Sequence, residues 1–197
     1  MRTHYLFMIA TLFLVLAGCS AQPEPQPQTP PPPPFRPTAT IKDIMDSVVD
    51  PNADFIWESI ATTVSAKGIE EKQPHTEEEW KAVRRSAVTL LEASNLLLVP
   101  DRHVAKPGEK SENPGIELGP EEIEVLINQD RATFIERALK LHDSVVPALK
   151  AIDEKNPEAL LAAGDLIDQA CEGCHLKYWY PNDQEAQKQY SERLKQP

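Results

Sequence analysis

From residue 41 onward, apolar residues recur every three or four positions, the period of a helix with one buried face. Ile41, Ile44, Met45, Val48 and Val49 form a first stripe. The spacing predicts an interruption at Asp50-Pro51, where Asp50 can cap and Pro51 can open the next helical stretch. That stretch continues through Ala53, Phe55, Ile56, Ile60 and Val64. The segment "HTEEEW" places Thr76 and Glu79 at capping-box spacing. The stripe it opens is Trp80, Val83, Ala87, Leu90, Leu91, Ser94 and Leu98. A loop rich in Pro, Gly and Lys fills 100–119. The third stripe, after Gly119-Pro120, is Ile123, Ile127, Asp130, Phe134, Ala138, Leu141, Val145, Ala148 and Ile152, with a kink predicted at Pro147. The fourth opens on Asn156 as cap and Pro157 as first residue, then runs Leu160, Gly164, Ile167, Cys171, Cys174 and Tyr178 before Pro181 stops it. No stretch shows sustained strand alternation. The pattern predicts an all-α fold, an antiparallel up-down-up-down four-helix bundle over 41–180. A polar tail, 181–197, has room for one more short helix.

The first forty residues are different. Arg2 precedes an apolar run, Tyr5 to Leu16, that is short for a bilayer span, and Leu16-Ala17-Gly18-Cys19 follows. This reads as a secretory signal, residues 1–18, with a small-residue cleavage region. Leu-Ala-Gly-Cys resembles the lipobox of bacterial lipoproteins, which implies lipid on Cys19 as the mature N-terminus. The competing readings are an ordinary signal with a stray cysteine and an uncleaved anchor helix. Ser20 in place of an aspartate points to the outer membrane. Residues 19–40 then form the lipidated cysteine and a proline-rich tether without helix or sheet. At about 3.1 Å per residue, the tether holds the domain roughly 50 Å from the lipid.

Composition narrows the partners. The chain has 20 Lys and Arg against 31 Asp and Glu, a net charge of −11, and loss of Arg2 with the signal makes the mature chain more acidic still. That balance argues against nucleic acid and suits a partner with a basic docking face; it also serves plain solubility. Glu77-Glu78-Glu79 and Glu121-Glu122-Glu124 are candidate guiding patches. Both sit at helix starts, where the helix dipole favours them without any partner.

With Cys19 assigned to lipid, two of the three cysteines remain, and both fall in "CEGCH", Cys171 to His175. Cys-x-x-Cys-His is the attachment signature of c-type haem. Each thiol adds to one vinyl group, one helical turn brings both sulfurs to one porphyrin edge, and the adjoining imidazole binds iron. A zinc site wants four ligands at tetrahedral positions, and here three crowd together. A thioredoxin-like pair wants a βαβ context, and a structural disulfide leaves His175 unexplained. One covalently bound haem c near the C-terminal end of helix four is the expectation.

A helical bundle with Cys171, Cys174 and His175 near its C-terminus, and Tyr178 three residues on, resembles class II cytochromes c, the cytochrome c′ family. The resemblance covers about residues 41–180. The family usually places a basic residue just after that aromatic; here Trp179 stands there and Lys177 is the nearest cation. The resemblance implies dimers through the first two helices, and a sixth iron position filled by a methionine near the start of helix one in low-spin members.

Met45 answers to that position. In an up-down-up-down bundle, helix one begins where helix four ends, so Met45 and His175 both lie about 6 Å from one end. Met45 is the only methionine after the signal; the competing reading is core filler. His75 falls at the opposite end, and His142 about 33 Å from the haem end. His103, in the loop returning to that end, is the rival ligand. The expected pocket wall is Ile41, Ile44, Val48, Val49, Leu91, Leu98, Ile123 and Ile127. Three functional expectations follow: an electron carrier with His175/Met45 ligation on the periplasmic side of a bacterial membrane, a gas-binding haem protein with an open distal site, or a haem-bearing accessory subunit. No acid/base pair, nucleophile or second metal site is placed for enzymatic chemistry.

Overall fold

The computed structural model describes residues 34–65 and 68–195, the side chains of residues 64 and 65 excepted. The expected signal, Cys19 and most of the tether lie outside the described residues. The first helical stretch is α1 (Ile41–Ile44), a π-helical turn (Met45–Val49) and α2 (Asp50–Glu58). A hairpin follows, β1 (Ala61–Ser65) and β2 (Gly68–Lys72). The remaining helices are α3 (Glu77–Leu97), α4 (Pro120–Gln129), α5 (Arg131–Asp153), α6 (Pro157–Tyr178) and α7 (Gln184–Arg193). The described chain is therefore mostly helical. None of its helices is long and apolar enough to cross a membrane.

Local chemistry fixes the helix starts. Thr40 accepts from the Asp43 N–H while the Asp43 carboxylate accepts from the Thr40 N–H, and Thr76 and Glu79 do the same for α3. Asn156 accepts from the Ala159 N–H, with Pro157 in the first turn where its missing N–H costs nothing. The first residues of α1 are satisfied from outside: the Ile41 and Lys42 N–H groups donate to the His103 and Val104 carbonyls at 2.9 Å.

Three departures from the sequence reading have physical causes. There is no interruption at Asp50-Pro51. Asp50 stays helical (φ −60°, ψ −49°), and its N–H reaches back five residues to the Met45 carbonyl. Pro51 has no N–H to close an α-turn, and the wide turn accommodates that loss without ending the helix. The helix instead ends at Glu58. Val64, expected on its stripe, is a strand residue paired with Ile69, so the expectation of no strand fails here. Gly68 (φ +126°) has the backbone freedom this hairpin end requires. The third stripe is not one helix. Asp130 (φ −134°, ψ 55°) ends α4, and its side chain accepts from the Thr133 N–H to start α5. α5 continues through Pro147 to Asp153.

The buried side chains form one apolar core. α5 packs against both α3 and α6, α2 against α3 and α6, and α4 against α5 and α6. At its centre the Phe134 and Tyr178 rings meet edge to face, centroids 5.5 Å apart. Arg131 joins α5 to the end of α3: it lies 5.1 Å over Phe134, and its Nη2 donates to the Leu97, Leu98 and Val99 carbonyls at 3.2, 2.9 and 3.3 Å. It thus caps the C-terminus of α3. The polar tail carries α7, which lies against α6: the Tyr190 hydroxyl donates to the Gln169 carbonyl at 3.2 Å, and Arg193 pairs with Asp168.

Candidate functional site

A cavity of about 340 Å³ opens between α2, α5 and α6. Cofactor and small-molecule sites run from about 300 to 1,000 Å³. Met45, Cys171, Cys174 and His175 all line it. These four residues come from the two ends of the domain sequence, and the fold brings them to one space.

The cysteines project from the last turns of α6, one helical turn apart and both partly buried. Burial pushes each thiol up to about 12; Asp168 and Cys174 add to the effect at Cys171, whereas Arg137 opposes it at Cys174. Both are free of disulfide and held as thiols. Burial also lowers His175, against the opposing charges of Glu172 and Glu117, so its imidazole is kept neutral with a lone pair to offer. Aromatic rings flank it, Trp179 at 5.7 Å and Tyr180 at 6.0 Å between centroids. The His175 carbonyl accepts from both their N–H groups, at 2.7 and 3.0 Å. That double acceptance ends α6 and folds the two aromatics back onto the histidine.

Met45 sits in the π-helical turn, partly buried, and touches a second cavity of about 170 Å³ that His175 and Trp179 also line. Single-turn π-bulges are frequent at functional sites. The rival histidine lies elsewhere: the His103 ring is exposed and its Nδ1 is 2.9 Å from Glu124 Oε1. His142 pairs with Asp143, and His75 lies in the groove beside the hairpin.

The wall differs from the sequence reading. Of the eight residues expected, Val49 lines the main cavity and Ile123 the smaller one. Ile41, Ile44 and Ile127 are buried in the core, with Val48, Leu91 and Leu98 packed against it. The wall is instead Ala53, Trp57, Leu97, Phe134, Ala138 and Leu141. Trp57 is held by an Nε1–H bond to the Gly164 carbonyl at 3.1 Å, and Gly164 leaves room for its ring. Asp50, Asp54, Asp168 and Glu172 face the same cavity with Arg137. Partial burial and the charges of Asp46 and Asp54 push the Asp50 carboxyl up. Trp57 and Arg137 carried no motif in the sequence; Glu172 was signalled only by lying between the two cysteines.

The acidic runs are largely occupied in local structure. Glu79 and Glu122 accept from cap N–H groups, Glu77 pairs with Lys155, and Glu124 accepts from His103 and the Val104 N–H.

Comparison with protein-family models, with curated proteins and with solved structures finds no match for this chain.

Proposed function

We propose that this protein is a single-haem c-type cytochrome that carries electrons outside the cytoplasm. Residues Cys171 and Cys174 would attach the haem, and His175 and Met45 would hold its iron. The observation that carries this reading is the convergence of Met45, Cys171, Cys174 and His175 on one cavity with mostly apolar walls. The donor set fits the group: two thiols one turn apart, a neutral imidazole beside the second, and a thioether from another element. The helices then form an antiparallel four-helix bundle of the class II cytochrome c kind, with α4 and α5 together as its third member. The contacts of α2 and of α5 with both α3 and α6 support that arrangement.

Bound there, the haem supplies a one-electron couple. The chain's own residues hold and tune it. The Cys171 and Cys174 thiols would hold it covalently, each by addition of S–H across one vinyl double bond with no net oxidation. His175 presents a neutral nitrogen because burial keeps it unprotonated. A thioether ligand would raise the reduction potential, and the apolar side chains of Trp57, Phe134 and Leu141 in the cavity wall would push it the same way. The protein transforms no substrate of its own. Asp50, Asp54 and Asp168 give the cavity an acidic rim that suits redox partners with basic docking faces.

The rest of the reading is the lipoprotein. Lipid on Cys19 anchors the domain on the periplasmic side of a bacterial membrane, the outer one in preference. The proline-rich tether lets it swing between donor and acceptor. The partners are proteins, a second copy of the chain among them, and not nucleic acid.

Absorption spectra of the purified protein, ferric and ferrous, with and without carbon monoxide, test the ligation. A low-spin spectrum indifferent to the gas, turning reactive in Met45→Ala, is the expected result. An immediate shift of the unaltered protein with carbon monoxide overturns the Met45 assignment and favours an open, gas-binding site.

A further inference from the structure

The hairpin forms one bank of a groove that shares no lining residue with the main cavity. The groove holds about 440 Å³ and runs between β2, the end of α2 and the first turns of α3. Glu70, Glu71 and Lys72 all border it. Successive side chains of a strand point to opposite faces, so three neighbours in a row place the groove along an edge of the strand rather than over one face. β1 occupies the other edge, and among the described residues the sheet has no third strand. All of β2 is exposed. In an antiparallel pair, alternate residues turn their N–H and C=O away from the partner strand, so the free edge of β2 offers donors and acceptors to the groove. The opposite bank is helical. Phe55 and Glu58 of α2 stand on it, both exposed, with the buried Val83 of α3 beside them.

A groove with a strand edge on one bank and helices on the other suits an extended chain, which adds to the sheet as a further strand. Charge selects that chain. Glu58, Glu70 and Glu71 border the groove, and among the described residues their carboxylates have no ion-pair or hydrogen-bond partner. Glu79 is already engaged by the His75 and Thr76 N–H groups. A second copy of a chain with net charge −11 would bring like charges to this edge, and charge on an edge strand guards against such self-pairing. We propose that this groove docks an extended, basic segment of a partner protein. The segment adds as a third strand to the free edge of β2, sets Lys or Arg against Glu58, Glu70 and Glu71, and covers Phe55. Docking there falls away from the attachment motif. Trp57, next to Glu58, donates to the Gly164 carbonyl, and Gly164 lies about three turns before His175 on α6, roughly 16 Å of helix. The proposal does not depend on the haem reading.

The test takes the full chain as purified, labelled with nitrogen-15, and titrates it with the capped peptide Lys-Val-Lys-Val-Lys-Val. The expected result is a saturable shift of the Ile69 to Lys72 amides and of Phe55, with affinity that falls as salt is raised. Glu70→Lys/Glu71→Lys should weaken binding about tenfold. Phe55→Ala removes only an exposed ring; it should weaken binding severalfold, and it serves if the double variant does not fold. Two further peptides, N-methylated at every valine or at every lysine, keep the charge. One of the two loses the donors that face β2 and should bind about tenfold more weakly than the other. Equal binding of the two methylated peptides overturns strand addition, because charge alone then holds them. Unmoved β2 amides, or shifts centred on Asp50, Asp54 and Asp168, overturn the site. A dimer whose β2 amides broaden, and which Glu70→Lys/Glu71→Lys changes, gives the edge to a second copy and overturns the basic occupant. Each readout is taken on the protein with or without haem, so failure of the cytochrome reading leaves this test standing.

Discussion

Gly173 lies between the two cysteines, and its missing side chain is what lets α7 dock. A Cβ there falls 2.5 Å from Tyr190 Oη, 3.2 Å from Tyr190 Cζ and 3.0 Å from an Arg137 nitrogen. The Tyr190 ring is stiff, so Gly173→Ala forces it off α6. The lost hydrogen bond to the Gln169 carbonyl contributes about 1 kcal/mol. The exposed Arg193–Asp168 pair beside it contributes about 0–1 kcal/mol. A ten-residue helix does not persist alone in water, so α7 should fray once undocked. Against this stands the gain from replacing glycine inside a helix, about 1 kcal/mol. The two nearly cancel in global stability, and a melting curve alone would show a shift of only a few degrees, at about 2–4 °C per kcal/mol for a chain this size. The distinguishing assay is amide hydrogen exchange. In Gly173→Ala, amides of α7 should lose protection while those of α5 keep it. Full α7 protection together with a higher melting temperature would refute the reasoning, because it would mean that nothing had to move.

Arg131→Ala should destabilise by about 2 kcal/mol, the range for hydrogen bonds to a charged group, because the Leu97, Leu98 and Val99 carbonyls at the end of α3 lose their donor. Thermal unfolding reads this as a fall of about 4–8 °C. Asp43 is held down to about 2 from 3.8 by Lys106 and the Thr40 cap. Its folded value is depressed, so its contribution is complete above about pH 4 and is lost as pH falls toward 2. Asp43→Asn should flatten that part of the melting temperature against pH; an unchanged slope would remove Asp43 from the acid response.

The parts of the fold legible in the sequence were those decided by chemistry within a few residues. Thr76 with Glu79, and Asn156 with Pro157, announce helix starts because the capping groups lie three residues apart or less. Elements decided by competition were not. Ile60 and Val64 fit helical spacing as well as strand spacing, and Gly68 with the β-branched run before it tips the balance to a hairpin. Asp130 falls on an apolar stripe as one tolerated polar residue, yet its side chain serves the Thr133 N–H and breaks the helix. At Pro51 a missing donor permits two outcomes, a break or a wide turn, and burial of Ile44, Val49 and Ala53 on one continuous face favours the turn. The candidate site divides the same way. Cys171, Cys174 and His175 are legible because they fall in one short motif on one helix, and they line one cavity. Met45 was picked out by its level in an expected bundle and by the family resemblance, and it lines the same cavity. The wall was not legible, since Trp57, Phe134 and Leu141 reach the cavity through the rotation of whole helices against one another.

The central claim is tested most directly by the intact mass and acid–acetone behaviour of the protein expressed with its signal and a haem-attachment system. The account predicts one haem that resists extraction and remains on the peptide carrying Cys171 to His175, and that is lost from a Cys171→Ala/Cys174→Ala variant. A chain that carries no haem mass, with both thiols open to alkylation, would contradict it.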